Sequence, residues 1–259
     1  MENENIIRLS VFLGLLCIFS LLEWWIPRRK MPGNKPRRVA ANLSLVVLDS
    51  IAVKIILPVS AGVFAVWVAE QDKALLGFQM PVLLAIIVLD LIIYWQHRIF
   101  HVVPVLWRLH KVHHSDNAID TSTALRFHPV EIVLSMLVKF AAVLLFGIPV
   151  LAVVIFEILL NATALFNHSN IRVPYDKVLR LLIVTPDMHR VHHSVLVNEA
   201  NSNYGFNVPW WDRLFGSYVA QPKQGHEAMQ IGLSQYQQGE TSLLKLLLMP
   251  FRTKRNILH

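Results

Sequence analysis

The chain contains little cysteine and little charge. Its single cysteine, Cys17, lies within an apolar run of the 259 residues. One thiol excludes an internal disulfide and a cysteine-ligated zinc or iron–sulfur site within one chain. Only 16% of the residues are charged while 54% are hydrophobic, and several apolar runs approach the roughly 20 residues that a membrane-crossing helix needs. The composition therefore indicates an integral membrane protein.

Recognition motifs for nucleotides, flavins and nucleic acids are also missing, and we expect no haem domain within the 259 residues. The formal net charge is +7, but the basic residues stand in short clusters beside apolar runs, as in Arg28-Arg29-Lys30 and Arg37-Arg38. That placement is typical of the cytoplasmic side of a membrane protein. We therefore expect no nucleic-acid partner.

Apolar runs predict an all-α membrane protein with about four transmembrane helices, one element of which is a helical hairpin. The runs lie at residues 6–26, 39–69 and 80–100, and at 130–147 and 149–166 for the hairpin. Lys54 and Pro58 interrupt the second run, which is either one kinked span or a span followed by an interfacial piece. The basic loop after the first run places the N-terminus outside and the later histidines on the cytoplasmic face.

Histidine is the residue type whose spacing points to chemistry. The chain holds twelve, arranged in part as one HxxxH pair and two HxxHH boxes. Spacings of three and four residues put side chains on one face of a helix, and imidazole is the commonest biological metal ligand. The candidate ligands are His97, His101, His110, His113, His114, His189, His192 and His193, with His168 at the end of the hairpin as a ninth.

So many imidazoles exceed the coordination of one ion, and the sequence therefore predicts two metals. On helical spacing the three imidazoles of each box can converge. How the ligands divide between the two metals stays open at this point.

Carboxylates near the boxes are candidates to orient the imidazoles. Asp90 and Tyr94 share a helix face with His97 and His101, and we expect Asp90 to accept from Tyr94 or from a ligand histidine; a structural hydrogen bond is the alternative. Asp187 and Asp212 flank the third box, and Asp116 and Asp120 follow the second. Helix capping or exposure to solvent is equally compatible with these four.

Three further histidines receive other expectations. His128 precedes Pro129 at the start of the hairpin and is expected to cap or orient the chain there. His226 and His259 are expected to be solvated. Among the aromatic residues, Trp107, Trp210 and Trp211 are expected to form an interfacial belt, with substrate contact as the alternative.

The boxes and their flanking strings together resemble one family. HRIFH, WRLHKVHHSD and HRVHH follow one another in the order of the three histidine boxes of the fatty acid hydroxylase/sterol desaturase superfamily. TALRFHPVE, NHSN, NYG and WWDRLFG, between and after the boxes, resemble it too. The similarity extends over roughly residues 80–218.

The resemblance implies a four-span enzyme with a cytoplasmic helical cap around a di-iron site held by the nine histidines. Such an enzyme uses O2 and electrons to hydroxylate or desaturate a C–H bond of a lipid such as a fatty acyl chain, sterol or ether lipid. The electrons come from a separate donor, a cytochrome b5-like, ferredoxin-like or reductase protein. Zinc is a possible substitute for iron in purified protein.

The same resemblance suggests three segments and a location. Residues 1–79 form N-terminal transmembrane helices with a basic loop, 80–218 the catalytic domain, and 219–259 a tail at the membrane surface. The membrane is a bacterial inner membrane or the endoplasmic reticulum. The alternative function is a histidine-rich metal-binding or metal-transport membrane protein without oxygenase activity. A bis-histidine haem carrier fits the clustered histidines less well.

Overall fold

The computed structural model of the protein describes residues 2–31, 33–57, 59–77 and 80–252, with side chains from residue 6 onward. The described part of the chain is helical and contains no strand; two isolated backbone bridges pair Pro27 with Ile171 and Ser194 with Ile231. The predicted all-α class is therefore confirmed.

Long helices alternate with short ones along the chain. In order they are α1 (Glu2–Trp25), α2 (Lys35–Ile56), α3 (Ala61–Glu70), α4 (Val82–Val102), α5 (Pro104–His114), α6 (Pro129–Phe146), α7 (Val150–Asn167), α8 (Asp176–Leu179), α9 (Pro186–His192), α10 (Val197–Ala200), α11 (Trp210–Leu214), α12 (Gly225–Ala228) and α13 (Leu243–Leu248). Short 3-10 turns stand at Thr121–Leu125, Ser234–Tyr236 and Met249–Phe251.

Five helical stretches in the described residues are long and apolar enough to cross a membrane. They are Ile6–Trp25, Lys35–Glu70, Val82–Val102, Pro129–Phe146 and Val150–Asn167. These stretches agree with the predicted apolar runs, so the prediction of a membrane protein is confirmed. The second stretch breaks between α2 and α3, where the Ser60 side chain accepts from the Val63 backbone N–H and caps α3; Pro58 lies outside the described residues. The number of crossings and the side on which the cap lies remain predictions.

Proline and glycine set the boundaries of the helices that carry the site. Pro104, Pro129 and Pro186 stand in the first turns of α5, α6 and α9, where a missing N–H leaves no helical hydrogen bond unmade. Gly147 ends α6 with φ of 62°, a left-handed conformation that glycine adopts without steric cost. The α6–α7 hairpin therefore turns sharply just before Pro149.

Small side chains bring the apolar helices together. Ala61, Ala65, Ala85, Ala142 and Ala152 are all buried in the largest apolar cluster, which joins α3, α4, α6 and α7. Alanine lets helix backbones approach closely. In lipid the hydrophobic effect does not drive helices together, so they associate through this close packing.

Polar contacts fix the ends of α1 and α2 beside the histidine boxes. The Glu23 carboxylate accepts from the backbone N–H groups of Thr121 and Asn170. Arg38 is fully buried and donates to both Asp116 and Asp120, which supplies the counter-charge that a buried guanidinium requires. The N-terminal helices are thus joined to the segments that follow the second box and His168.

The opposite end of the bundle is closed by the hairpin. The Leu75 and Leu76 backbone N–H groups, in the turn between α3 and α4, donate to the carbonyls of Leu144 and Leu145 near the end of α6. The hairpin therefore extends from the histidine end to the same far end as the α3–α4 turn. This leaves the histidines gathered at one end of the helices, covered by α5 and residues 168–252.

Candidate metal centre

Nine histidines meet at one end of the helix bundle in two buried groups. Within each group the facing ring nitrogens all lie within 4.8 Å of one another. Site A consists of His97, His101, His110, His114 and His192, and site B of His113, His168, His189 and His193. The structure thus brings together all nine candidate ligands, and it divides them five and four.

The second histidine box, at the end of α5, contributes to both sites. His110 and His114 are one turn apart and belong to site A, whereas His113 belongs to site B. Adjacent residues of a helix project about 100° apart, so His113 and His114 must point in different directions. A helix that ends between the two sites can therefore serve both.

The third box, at the end of α9, also contributes to both sites, but its i, i+4 pair belongs to site B. His189 and His193 are four residues apart and lie in site B, while His192 lies in site A. The expectation that the three imidazoles of a box converge is therefore wrong: the i, i+4 pair stays together and the remaining histidine joins the other site. The His114 and His193 rings lie 4.5 Å apart, so the two sites are immediate neighbours.

Most imidazoles of site A are held through Nδ1. His97 and His192 each donate from Nδ1 to a backbone carbonyl, at 2.7 Å to Tyr204 and 2.7 Å to Ser202. His101 Nδ1 faces Asn201 Oδ1 at 3.3 Å. A neutral imidazole has one N–H. When Nδ1 carries that hydrogen and donates it to a carbonyl, Nε2 has a free lone pair, which here points into the site.

Glu131 provides the one carboxyl anchor of site A in the described residues. His110 Nδ1 lies 2.6 Å from Glu131 Oε1, and both side chains are buried. The spacing of the histidine boxes does not predict a role for this residue. Its position in the sequence could have indicated a role, because a carboxylate in the first turn of an apolar helix is costly when exposed to lipid. Such a side chain is therefore expected to face the protein interior.

Site B is anchored at one histidine only. His168 donates from Nδ1 to the Ala164 carbonyl at 2.7 Å, so its Nε2 is bare. That nitrogen lies 3.1 Å from His113 Nε2 and 3.0 Å from His189 Nε2. Within the described residues, the Nδ1 atoms of His113, His189 and His193 have no hydrogen-bond partner.

The ring nitrogens fit a bound cation in both sites. His97 and His110 each use Nδ1 elsewhere, yet their Nε2 atoms lie 3.1 Å apart. Two lone pairs at that distance repel unless a positive ion lies between them. Ligands on neighbouring positions of an ion with metal–nitrogen bonds of about 2.1 Å are separated by roughly 3.0–3.4 Å, and His189 and His193 in site B, at 3.3 Å, also match.

Burial keeps these imidazoles neutral. It lowers the pKa of His110 and of His168 to about 3. It also lowers, well below the ordinary value, the pKa of His113, His114, His189, His192 and His193. Only neutral imidazole binds a metal, so the sites are in the ligand form at neutral pH.

Comparison with known proteins identifies the family of this chain. The sequence model described as fatty acid hydroxylase matches residues 82–217, more than half of the chain. The chain belongs to the fatty acid hydroxylase family. The family resemblance predicted from the boxes is confirmed, and all nine histidines of the two sites fall within the matched residues.

Similar proteins within this family are named for reactions on lipids. An ornithine lipid hydroxylase of Rhizobium tropici is 26% identical over 224 residues, 82% of this chain and 67% of its own length. An alkylglycerol monooxygenase of Danio rerio is 34% identical over 136 residues, 52% of this chain and 30% of its own length. A lathosterol oxidase of Mus musculus is 31% identical over 130 residues, 50% of this chain and 42% of its own length.

These similarities differ in extent. The chain spans about two thirds of the ornithine lipid hydroxylase but less than half of the other two relatives. No solved structure matches the chain.

Asp212 and Tyr94, two of the predicted orienting residues, are connected to His97 through intervening residues. Asp212 accepts from the backbone N–H groups of Tyr204 and Gly205, both at 2.8 Å, and the Tyr204 carbonyl in turn holds His97. The Tyr94 hydroxyl lies 2.8 Å from Ser217 Oγ, which donates to Asp212. Burial raises the pKa of Asp212 to about 6.

Asp90 has different partners from those expected. Its oxygens accept from the Asn207 side chain at 2.6 Å and from Trp211 Nε1 at 2.7 Å, not from Tyr94 or a histidine. Asp90 therefore attaches residues 207–211 to α4. Trp211 is consequently an internal contact, and Trp107 is likewise buried, with its ring 5.0 Å from that of His101; neither forms a simple interfacial belt.

The carboxylates next to the boxes bind arginines. Asp187 contacts Arg28, Arg190 and His226 within the described residues, and none of the site A or site B histidines. It precedes His189 by two residues and projects away from it on the helix. Asp116 and Asp120 bind Arg38, and Asp120 also caps the 3-10 turn that follows it.

The three remaining histidines lie outside both sites or outside the described residues. His128 Nδ1 accepts from the Val130 N–H and caps α6, as expected. His226 is buried with an exposed fraction of 6%, so the expectation of a solvated side chain is wrong. Its Nε2 lies 3.7 Å from the Asp187 carboxylate. His259 lies outside the described residues.

Proposed function

We propose that this chain is a membrane-bound di-iron oxygenase that hydroxylates, or desaturates, a C–H bond of a lipid with O2 and external electrons. The observation that carries the proposal is the pair of adjacent histidine sites at the ends of membrane helices, five imidazoles in one and four in the other. The names of the relatives, which are lipid hydroxylases, monooxygenases and oxidases, support the same class of reaction.

Iron is the metal that connects these ligands with that reaction. Imidazole accepts zinc, copper and iron alike, so the ligand set alone does not select the ion. When bound, a pair of irons supplies the electrons for reduction of O2 and an oxidant strong enough for an unactivated C–H bond. Zinc can occupy such a site in purified protein without supplying that chemistry.

The protein binds the metals, orients the ligand histidines and excludes water from the metal centre. Tyr204, Ser202, Asn201 and Glu131 fix the ring orientation of four site A histidines. Partners of this kind set the tautomer and the direction of the ligand lone pair. The protein's part in a cofactor reaction is this positioning, together with the exclusion of water.

Aromatic rings form walls around the histidines and exclude water from the centre. The Phe127 ring stacks on His113 at 4.5 Å, and the Phe206 ring lies 5.1 Å from His97. Trp107 lies 5.4 Å from His114 and is buried. A dry, apolar surrounding suits a lipid carbon as substrate and protects a reactive intermediate from side reactions.

The position of the metal centre at the ends of membrane helices supports a lipid as substrate. The basic loop supports a location of the centre on the cytoplasmic side. Arg28 pairs with Asp187, and Arg38 with Asp116, so the basic loop and the histidine sites lie at the same end of the helices. By the excess of positive charge in cytoplasmic loops, this end is cytoplasmic and the N-terminus outside. A separate cytochrome b5-like, ferredoxin-like or reductase protein delivers the electrons there.

One experiment tests the metal and the reaction together. The protein is purified without oxygen in lipid nanodiscs, its metals are counted, and its Mössbauer spectrum is recorded. It is then supplied with an electron donor, membrane lipid extract and 18O2. We expect two coupled irons per chain and a lipid product that is hydroxylated with 18O or desaturated.

The control is the His110→Ala/His113→Ala variant, which removes one ligand from each site. It should lose both irons and the oxidised lipid. Tight binding of metal by the unmodified protein without any lipid oxidation would overturn the proposal in favour of a metal-binding or metal-transport protein. A haem spectrum or a single iron would overturn it as well.

A further inference from the structure

Residues 205–215, which belong to the predicted cap, reach deep between the membrane helices. Asn207 and Trp211 both donate to Asp90, which lies more than three turns before the end of α4 at Val102, roughly 18 Å along the helix axis. Asp90 is also about two turns farther from that end than His97. A buried carboxylate in a membrane helix needs such donors, and the indole N–H needs such an acceptor.

A second helix, α7, also contacts this segment inside the bundle. The Thr163 hydroxyl donates to Asn207 Oδ1, and the Asn167 side chain donates to the Phe206 carbonyl. Thr163 lies about one turn inside the end of α7, roughly 6 Å along the axis. Residues 206 and 207 are therefore within the helical bundle and not on top of it.

The outer side of this inserted segment is apolar and open. Trp210 and Leu214 of α11 project outward, and Trp210 donates through Nε1 to the Leu181 carbonyl next to α8. We call the combined surface the insertion face. Its exposed residues are Tyr175, Val178, Leu181, Leu182, Trp210 and Leu214. Exposed fractions of 63% for Leu182 and 69% for Leu214 are unfavourable in water for residues of this size.

The insertion face continues the lipid-facing side of α4. The Phe215 ring, at the end of α11, lies 4.9 Å from the ring of Trp95, which is itself exposed on α4 together with Ile99 and Val102. The apolar surface of α11 thus adjoins that of a membrane-crossing helix at Trp95, where the Arg98 guanidinium lies 5.3 Å from the centre of the Trp95 ring. Residues 221–238 differ, since their exposed positions include Lys223, Gln224 and Gln235.

Basic side chains border the insertion face. Lys177 and Arg213 are exposed beside it, and the Arg213 guanidinium lies 4.2 Å from the centre of the Tyr218 ring. Cations and aromatic rings of this kind are typical of the headgroup layer, where the charge reaches the lipid phosphates and the rest of the side chain stays in the apolar layer.

We propose that the insertion face is embedded in the bilayer, with its six apolar side chains in contact with lipid acyl chains beside the C-terminal half of α4. It places acyl chains against the segment whose Tyr204 carbonyl holds His97 of site A. The cap is then a partly inserted element and not a purely cytoplasmic one. This inference needs the membrane helices but not the identity of the metal or the reaction.

Spin labels distinguish lipid, water and protein at this surface. Cys17 is the only cysteine, so a Cys17→Ala chain provides a background for single labels. Leu182→Cys and Leu214→Cys place a label on the insertion face. Leu83→Cys, exposed on α4, is the lipid reference, and Gln224→Cys and Gln235→Cys are the water references.

The labelled, metal-loaded proteins are measured in nanodiscs by power-saturation electron paramagnetic resonance with O2 and with a water-soluble nickel chelate. We expect labels at 182 and 214 to match the label at 83: readily reached by O2 and several-fold less accessible to nickel than the labels at 224 and 235. Accessibility to nickel equal to the water references would overturn the proposal, since the face would then be in water. Protection from both reagents would also overturn it, since a second copy or another protein would then cover the face. Unchanged metal content in each variant shows that the fold is retained.

Discussion

Sites A and B are adjacent and equally buried, but they are held in different ways. In site A, four of the five imidazoles use Nδ1 to contact a carbonyl, an amide or the Glu131 carboxylate. In site B, only His168 has such a partner within the described residues. The protein therefore fixes the ring orientations of site A before a metal binds, whereas site B depends on packing and on the metal itself.

The contrast has a consequence for metal affinity. Partners that orient a ligand histidine typically change metal affinity or activity by about 10- to 100-fold when they are removed. An ion in site A benefits from several such partners, and an ion in site B from one. We therefore expect site A to bind its metal more tightly than site B.

The largest expected effect comes from two neighbouring residues. His113→Ala removes a ligand from site B and His114→Ala one from site A. Each variant should lose lipid oxidation and fall from two metals per chain to one, and the double variant should fall to none. Metal analysis of the purified proteins measures this directly.

His226→Ala is the matched control for these variants, because His226 is buried but lies in neither site. It should retain both metals. If the double variant still held one metal, the two neighbours would share a site and the division into A and B would be wrong.

Removal of metal by a chelator should occur in two steps. The ion in site B, with one oriented imidazole, should leave at a lower chelator concentration than the ion in site A. Mössbauer spectra recorded along the titration should lose one component first, and His168→Ala should make that first loss easier still. Simultaneous loss of both ions would show that the hydrogen bonds of site A add nothing to its affinity.

Much of this arrangement could be predicted from the sequence, because helical spacing and hydropathy are local properties. The apolar runs predicted the long helices, and the boxes predicted eight of the nine histidines, with His168 at the end of the hairpin as the ninth. The division of each box could not be predicted with the same certainty, since it depends on where α5 and α9 end relative to the two sites. An arc of about 100° around a helix is too wide for three imidazoles to reach one metal. The adjacent histidines of each box point in directions about 100° apart and therefore enter different sites.

Contacts between distant segments were the other limit. Asp212 acts on His97 through the backbone of Tyr204, and no spacing in the sequence connects Asp212 with α4. The same is true of Asp90, whose partners are 117 and 121 residues away. His226 appeared solvated because its neighbours in sequence are polar, but Asp187 and the arginines around it come from α9 and from the loop after α1.

Glu131→Gln should have an intermediate effect confined to one site. The amide keeps the size of the side chain but removes the carboxyl group that faces His110 at 2.6 Å. Metal affinity at site A should fall by about 10- to 100-fold, while site B should be unchanged and serves as the internal control. An equal loss at both sites would indicate a general disturbance of the fold, and no loss would show that the carboxyl group of Glu131 is dispensable.

Asp212→Asn should have the smallest effect, because Asp212 touches no histidine. It accepts from two backbone N–H groups of the segment that carries the Tyr204 carbonyl, and an amide nitrogen in place of one oxygen cannot accept. The carbonyl should then hold His97 less firmly, and site A should lose affinity by up to about 10-fold, the lower end of the range for orienting partners. Asp187→Asn is the matched control, since Asp187 stabilises α9 through Arg28 and Arg190 and should lower thermal stability without a preference for site A. If the two variants weakened metal binding alike, the effect of Asp212 would be one of stability alone, and the path from Asp212 through Tyr204 to His97 would carry no orientation.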